Sequence, residues 1–203
     1  MDPREHWRAV YEAKRPDEVS WFQALPEPSL AALERHGIGA EASLIDVGGG
    51  ASGLAGELVA LGWRDVTVLD IAASAIGEAK GRLVDTSEAI IWIDADILHW
   101  RPSRTFDVWH DRALFHFLTE PAERELYLGA LRAGTHKGTL VILATFALDG
   151  PEQCSGLPVR RYDDEAMAAE LGEEFTLVEA WRQAHVTPWG AEQRFQWAAF
   201  RRM

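Results

Sequence analysis

The chain has 203 residues with 47% apolar side chains, the length of one domain and enough hydrophobic content to close a core without disulfides or structural metal. Its formal charge of −12, with Lys and Arg scattered apart from Arg160-Arg161 and Arg201-Arg202, leaves no basic face for phosphates and argues against nucleic acid as a partner. The single cysteine, Cys154, rules out an internal disulfide framework, the charged start Met1-Asp2-Pro3-Arg4-Glu5-His6 does not resemble a signal peptide, and no apolar run approaches the ~20 residues of a bilayer span, so a cytoplasmic protein with no membrane partner is expected. One domain over residues 1–203 is the working expectation, and composition leaves the oligomeric state open.

In chain order, Trp7, Val10 and Tyr11 share one helical face, and residues 1–28 read as a lid-like segment. Ser29 is placed to cap a helix that carries Leu30 and Leu33 and stops at Gly37. Leu44 to Val47 reads as a short buried strand ending at glycines. Leu54, Leu58 and Leu61 then form a helical stripe closed by Gly62, and residues 66–69 are the next strand, completing a βαβ unit. Further strands are expected at 89–93, 106–109 and 139–146, with helices near 72–83 and 121–131. The strand-like runs 175–186 and 195–201 are joined by too few residues for a parallel crossover, so they should pair as an antiparallel hairpin. The class is α/β, and the Gly/Pro-enriched stretch 149–158 reads as a functional loop within the domain. Nine tryptophans exceed ordinary usage and suggest a ligand cleft lined by some of them.

Gly48, Gly50 and Gly53 match G-x-G-x-x-G between a strand and a helix, an unhindered turn against which a flat adenosine ligand can lie. The glycines alone suit a dinucleotide equally well. Asp46 separates the alternatives, because a carboxylate beside that loop repels a pyrophosphate and suits a cationic, phosphate-free ligand. Asp70, at the end of the second strand, is placed to accept hydrogen bonds from ribose hydroxyls, and Asp96, after the third, from an adenine amino group.

The successive motifs Asp46-Val47-Gly48-Gly49-Gly50, Asp70-Ile71, Ala95-Asp96-Ile97 and Phe106-Asp107-Val108 resemble those of class I (Rossmann-like) S-adenosylmethionine-dependent methyltransferases over roughly residues 40–146. The resemblance implies a doubly wound, seven-stranded, mostly parallel sheet with an antiparallel C-terminal strand in a three-layer α/β/α arrangement, and S-adenosyl-L-methionine as cofactor. It departs from the family at Ser52, where many members have a third glycine; the small hydroxyl is compatible with the methionine part of the ligand. The run His110-Asp111-Arg112-Ala113-Leu114 is similar to the Asp-Arg-Ala motif of thiopurine and thiol methyltransferase-like enzymes. The cofactor-binding set expected from these motifs is Asp46, Gly48, Gly49, Gly50, Asp70, Ile71, Asp96, Ile97 and Asp111, and Trp21 joins it because similar tryptophan-bearing N-terminal segments of thiopurine and thiol or halide methyltransferases cover the cofactor.

Methyl transfer is an in-line displacement with a neutral sulfur leaving, so the protein mainly positions a nucleophile, and a base is needed only if the nucleophile arrives protonated. His110 and His116 are either bases or packed imidazoles; Asp111 either meets the cofactor ammonium or pairs locally with Arg112. No residue is assigned as catalytic, and no metal is expected, since no spacing such as H-E-x-x-H occurs. Substrate contacts are expected from His110, Phe146, Cys154, His185 and Arg194, with 149–162 and 185–194 as substrate-side loops; Arg161 is a further carboxylate candidate. A small-molecule acceptor, thiol-like because no strong base is evident, is the first expectation. The alternatives are a protein lysine as acceptor, an NAD-dependent oxidoreductase, and a nucleotide-binding module without turnover.

Overall fold

The computed structural model describes residues 2–83 and 86–203, so Met1, Val84 and Asp85, which the single-domain expectation takes in, lie outside it. Among the described residues nine strands are formed: β1 Leu44–Val47, β2 Val66–Asp70, β3 Ile90–Asp94, β4 Phe106–Arg112, β5 Thr135–Phe146, β6 Gln153–Cys154, β7 Leu157–Pro158, β8 Phe175–Val186 and β9 Glu192–Arg202. Six helices accompany them: α1 Pro3–Ala13, α2 Glu27–Arg35, α3 Leu54–Ala60, α4 Ala73–Arg82, α5 Pro121–Ala133 and α6 Asp164–Leu171. Seven strands make one sheet in the order β3-β2-β1-β4-β5-β9-β8, while β6 and β7 pair separately. Strands β1 to β5 run parallel, and β9 is antiparallel to both its neighbours, as the short hairpin connection requires.

Both faces of the sheet are covered, which is why β1 and β2 are mostly apolar and fully buried, the exceptions being Asp46 and Asp70 at the site and Thr67, which accepts from Arg104. On one face Ile45, Val47, Trp109 and Leu143 pack with Tyr127 and Leu131 of α5 and Met167 and Leu171 of α6. On the other, Leu44, Val68, Val108 and Ile142 pack with Leu33 of α2 and Leu54 and Leu58 of α3. Of the tryptophans, Trp109, Trp197 and Trp63 are buried in these layers rather than lining a ligand cleft.

Several boundaries differ from the sequence reading. Ser29 does not cap α2: the cap position is Pro26, the helix begins at Glu27, and Ser29 is its third residue, within the first turn, with its side chain buried. Strand β4 continues through Arg112 because its neighbours β1 and β5 both extend alongside it, so His110 and Asp111 lie within a strand, not after one. The hairpin tip is shorter than expected, residues 187–191, which puts Arg194 inside β9. Helix α6 was not foreseen; its apolar stripe is thin, and Asp163 starts it by accepting from the Ala166 amide. Gly62, at φ +91, ends α3 in the left-handed conformation foreseen for it. Among the described residues no helix is long and apolar enough to cross a membrane.

Candidate active site

The strand order reverses beside β1, and a cleft of about 190 Å³ opens at the carboxyl ends of β1, β2 and β4, where ligands settle in open α/β sheets. Its floor comprises Gly48, then Leu69, Asp70 and Ile71 at the end of β2, and Ala95, Asp96 and Ile97 after β3. Arg112, Ala113 and Leu114 form one wall, with Phe117 and Leu118 beyond them. The N-terminal segment supplies the roof through Trp7, Tyr11 and Trp21, whose rings meet edge-on or tilted at 5.8 to 6.5 Å, and Cys154 and Leu157 reach in from the β6–β7 hairpin.

The glycine loop is shaped by contact. Gly48 has φ +72, and a Cβ there would lie 2.7 Å from Leu114 Cδ1; Gly50 has φ +24, and its Cβ would lie 2.5 Å from Asp70 Oδ2. Gly49 is constrained by space alone, its Cβ falling 2.5 Å from Asp46 Oδ2. The loop therefore carries the two carboxylates tightly against its backbone.

Asp70 accepts the Ala72 amide at 2.8 Å through Oδ1. Burial pushes its carboxyl up to about 7, against the Ala72 hydrogen bond and with help from the charges of Asp46 and Asp94. Asp96 accepts the Leu98 amide at 2.9 Å and lies 2.9 Å from His99 Nδ1, at the more open end of the cleft.

A smaller recess shares Tyr11, Trp21, Gly48 and Arg112 with the cleft and continues to Gln23, Ser29, Asp46, Gly49, Ser52 and His110. Here Asp46 is buried rather than at an open rim. Its Oδ1 is 2.7 Å from His110 Nδ1, and His110 Nε2 is 2.9 Å from Ser29 Oγ. An imidazole protonated on Nδ1 satisfies both contacts, donating to Asp46 and accepting the Ser29 hydroxyl. Asp46 Oδ2 and Arg112 Nη2 are both enclosed and have no hydrogen-bond partner among the described residues. Arg112 donates through Nη1 to the Trp21 carbonyl at 2.9 Å, and burial lowers its guanidinium to about 10 despite the nearby charge of Asp46. Sequence reasoning passed over Arg112 and Ser29. The signal for Arg112 was available: in a strand reaching residue 112, alternation puts His110 and Arg112 on one face and Asp111 on the other.

That alternation corrects the expectation for Asp111. Its carboxylate is fully buried on the opposite face, where Oδ2 accepts the Tyr127 hydroxyl at 2.7 Å and Oδ1 accepts the Leu114 and Phe115 amides at 2.9 and 3.2 Å. It fixes the turn after β4, lines neither cavity, and pairs with no Arg112. Burial first, offset by the Tyr127 hydrogen bond, raises it to about 6.

Other expected substrate contacts are also placed elsewhere. Phe146 is buried and packs on His116 and Phe195. His185 lies 2.7 Å from the Ser20 carbonyl, its imidazole lowered by burial, and lines neither cavity. Arg194 is exposed and pairs with Asp149 and Glu192 on the strand surface, and Arg161 binds the Gly150 carbonyl and Glu152. His116 is fully buried, accepts the Phe146 amide at Nδ1, and is held to about 3 by burial and then by the charge of Arg112, so it is a packed neutral imidazole. His110 and Cys154 do line the cavities; burial raises the Cys154 thiol, whose sulfur is 3.9 Å from Ser20 Oγ. Among the described residues no group of three or more His, Cys, Asp or Glu side chains is placed to hold a metal ion.

A seven-stranded sheet with β9 reversed, and a glycine cradle flanked by carboxylates at its switch point, give the chain the Rossmann-like α/β fold of class I S-adenosylmethionine-dependent methyltransferases. Residues 44–138 match a family model described as a methyltransferase domain. No curated protein matches the chain in sequence. Among solved structures, the chain is similar to one described under the conversion of a disulfide bond into a thioacetal group during echinomycin biosynthesis (23% identity, TM-score 0.77, 98% of this chain and 92% of that one). It is also similar to the N-methyltransferase NodS from Bradyrhizobium japonicum in complex with S-adenosyl-L-homocysteine (18%, TM-score 0.75, 99% of each chain) and to a SAM-dependent methyltransferase from Anabaena variabilis (17%, TM-score 0.78, 100% and 96%). The domain match and the fold point to S-adenosyl-L-methionine as the cofactor. The residues present fit it: glycines no side chain can replace without collision, the Asp70 carboxylate against the loop, and unpartnered polar atoms of both signs beside it.

Proposed function

We propose that this protein is a methyltransferase that alkylates a soft nucleophile on a small molecule held beneath Trp7 and Trp21, a thiol-like group being the first choice because it can arrive as the thiolate, its proton already released to solvent. One observation carries this reading. Neither imidazole near Arg112 is placed to take a proton from an acceptor in the cleft: both nitrogens of His110 are engaged, and His116, whose Nε2 has no partner, is fully buried and lines neither cavity. A nucleophile that arrives with its lone pair available needs no such base. Bound S-adenosylmethionine supplies a methyl group on a sulfonium whose departing sulfur is neutral, so no acid is needed either.

In this reading Asp70 accepts the ribose hydroxyls, Asp96 accepts the adenine amino group, and Ile71 and Ile97 offer the ring apolar surface. Gly48, Gly49 and Gly50 admit the ligand to the backbone, and Trp21 covers the methionine arm. Residues 1–28 act as the lid of a single domain, and the β6–β7 part of loop 149–162 presents Cys154 and Leu157 to the acceptor. The printed descriptions of neighbours support a small acceptor: one is a 1,6-didemethyltoxoflavin N1-methyltransferase with that compound bound, another a glycopeptide N-methyltransferase. They also favour an uncharged amine as a second reading, for which the aromatic roof beside Asp46 and Asp70 offers cation–π and ionic stabilisation of the product.

The test is incubation of the pure enzyme with methyl-labelled donor and, separately, a thiol panel, an amine panel and lysate protein. Label on a small thiol or amine is expected; label confined to protein overturns the small-molecule reading in favour of lysine.

A further inference from the structure

We propose that Tyr127 and Asp111, both buried outside the cleft, are positioning residues for the cofactor: through the turn at Ala113 they seat Leu114 against the glycine loop. The inference rests on the cofactor placement given above and extends it to side chains that touch no ligand.

The turn has to be held. Ala113 has φ +72, a left-handed conformation that glycine adopts freely and that costs free energy in a residue with a Cβ. Among the described residues only Ser155 shares this feature outside the glycines, and Ala113 lies in the wall of the cleft between Arg112 and Leu114. Strain of this kind persists only where the surroundings impose it. Here they do so through a chain of hydrogen bonds. Trp109 Nε1 donates to the Tyr127 hydroxyl at 3.0 Å, that hydroxyl donates to Asp111 Oδ2 at 2.7 Å, and Asp111 Oδ1 accepts the Leu114 and Phe115 amides at 2.9 and 3.2 Å. The Ala113 amide donates to the Ala144 carbonyl of β5 at 2.8 Å, so the turn is tied on both sides. Trp109, Tyr127 and Asp111 are fully buried, where a carboxylate holds its donors more tightly than a neutral acceptor does.

The held residue reaches the site. Leu114 fills the space a side chain on Gly48 would need, its Cδ1 and Cβ lying 2.7 and 3.0 Å from the Cβ position there. Gly48 is itself left-handed, and its amide donates to the Leu69 carbonyl at 2.7 Å, so Leu114 packs on the point where the loop bends toward β2. Tyr127 on α5 thereby acts on the loop through Asp111 and Leu114. Burial raises the Asp111 carboxyl to about 6, and the Tyr127 hydrogen bond is what chiefly opposes it. The other titratable group acting on Asp111 is His110 on its own strand; Val47 and Leu143, its partners on β1 and β5, are apolar. Without the Tyr127 hydroxyl the carboxyl rises further and is protonated near neutrality, and its hold on the Leu114 and Phe115 amides weakens.

Calorimetry with S-adenosylhomocysteine on the full chain, at a temperature where each protein is folded, tests the route. Tyr127→Phe is expected to weaken binding about fivefold or more at pH 7 and by less at pH 9, where Asp111 is ionised in both proteins; Asp70 titrates in both and cancels in the ratio. Adding Ala113→Gly is expected to bring the affinity back to within about twofold of native, because glycine holds the left-handed turn unaided. A hydroxyl that serves stability alone lowers the unfolding temperature and moves neither the affinity nor its pH ratio. Native affinity in Tyr127→Phe, a deficit equal at pH 7 and pH 9, or a deficit that Ala113→Gly leaves in place each overturns the proposal. Leu114→Ala keeps the hydrogen bonds and tests the last link without any change at Tyr127: weakening by a similar factor is expected, and native affinity there overturns the proposal as well. Failure of the native protein to bind S-adenosylhomocysteine overturns the cofactor placement instead.

Discussion

His110 and Asp46 occupy directly paired positions on β4 and β1, and Nδ1 of the first lies 2.7 Å from Oδ1 of the second with both side chains buried. The pair ties the sheet interior to the glycine loop, because the free oxygen of the same carboxylate lies against Gly49. Replacing His110 by Phe strips the buried carboxylate of its partner, and a loss of about 3 kcal/mol in unfolding free energy by denaturant titration is expected. Ser29→Ala, which removes one neutral hydrogen bond to the same ring, should cost about 1 kcal/mol. Equal stabilities of both variants with the native protein would show that the triad carries no structural weight.

With Asp70 at the ribose, as proposed, cofactor binding should be pH-dependent. Its carboxyl is raised to about 7 by burial, so near neutrality the free protein carries it partly protonated, whereas hydroxyl donors from a ribose favour the ionised form. Affinity for S-adenosylhomocysteine should therefore fall as pH drops through 7, with proton release on binding in that range, and Asp70→Asn should flatten the profile while weakening binding. The sign for stability is opposite. A carboxyl raised above its unfolded value contributes stability that is complete below the usual carboxylate range and is lost as pH rises through about 7, so the ligand-free protein should gain stability from this group at pH 5 relative to pH 8. Calorimetry and thermal unfolding across pH 5 to 8 read both effects.

Gly50→Ala places a methyl group about where Asp70 Oδ2 and Ala75 Cβ already stand, at 2.5 and 3.1 Å, on a backbone with φ +24. Asp70 must swing aside, so this variant should weaken S-adenosylhomocysteine and 5′-methylthioadenosine together by about tenfold or more. A Gly50→Ala protein with native affinity for methylthioadenosine would remove Asp70 from the ribose.

The roof is separable from the sheet. Trp7 and Tyr11 pack with Trp21, Ala51, Ala72 and Ala75 in a cluster that meets one of the two layers flanking the sheet through Trp21. A chain lacking residues 2–15 is expected to keep a cooperative unfolding transition, because neither main layer loses a buried side chain, and to bind S-adenosylhomocysteine at least about tenfold more weakly. Loss of cooperative unfolding on truncation would mean the segment is part of the core instead.

Residue order alone determined the parallel α/β class, the reversed C-terminal strand and the glycine loop with Asp70 and Asp96 at successive strand ends, since each follows from local spacing or from the reach of a short connection. Only the tertiary structure decided where the charges point. Ending β4 at Trp109 concealed that Asp111 turns into the Tyr127 layer and Arg112 into the recess, and strand length is set by the neighbours β1 and β5, not by residue preference within β4. Likewise Ser29 looked like a helix cap until α2 began earlier and its hydroxyl met His110, 81 residues away. Long-range hydrogen bonds of this kind have no period or spacing in sequence; they exist because packing two layers around β1 leaves a buried carboxylate that some side chain must satisfy.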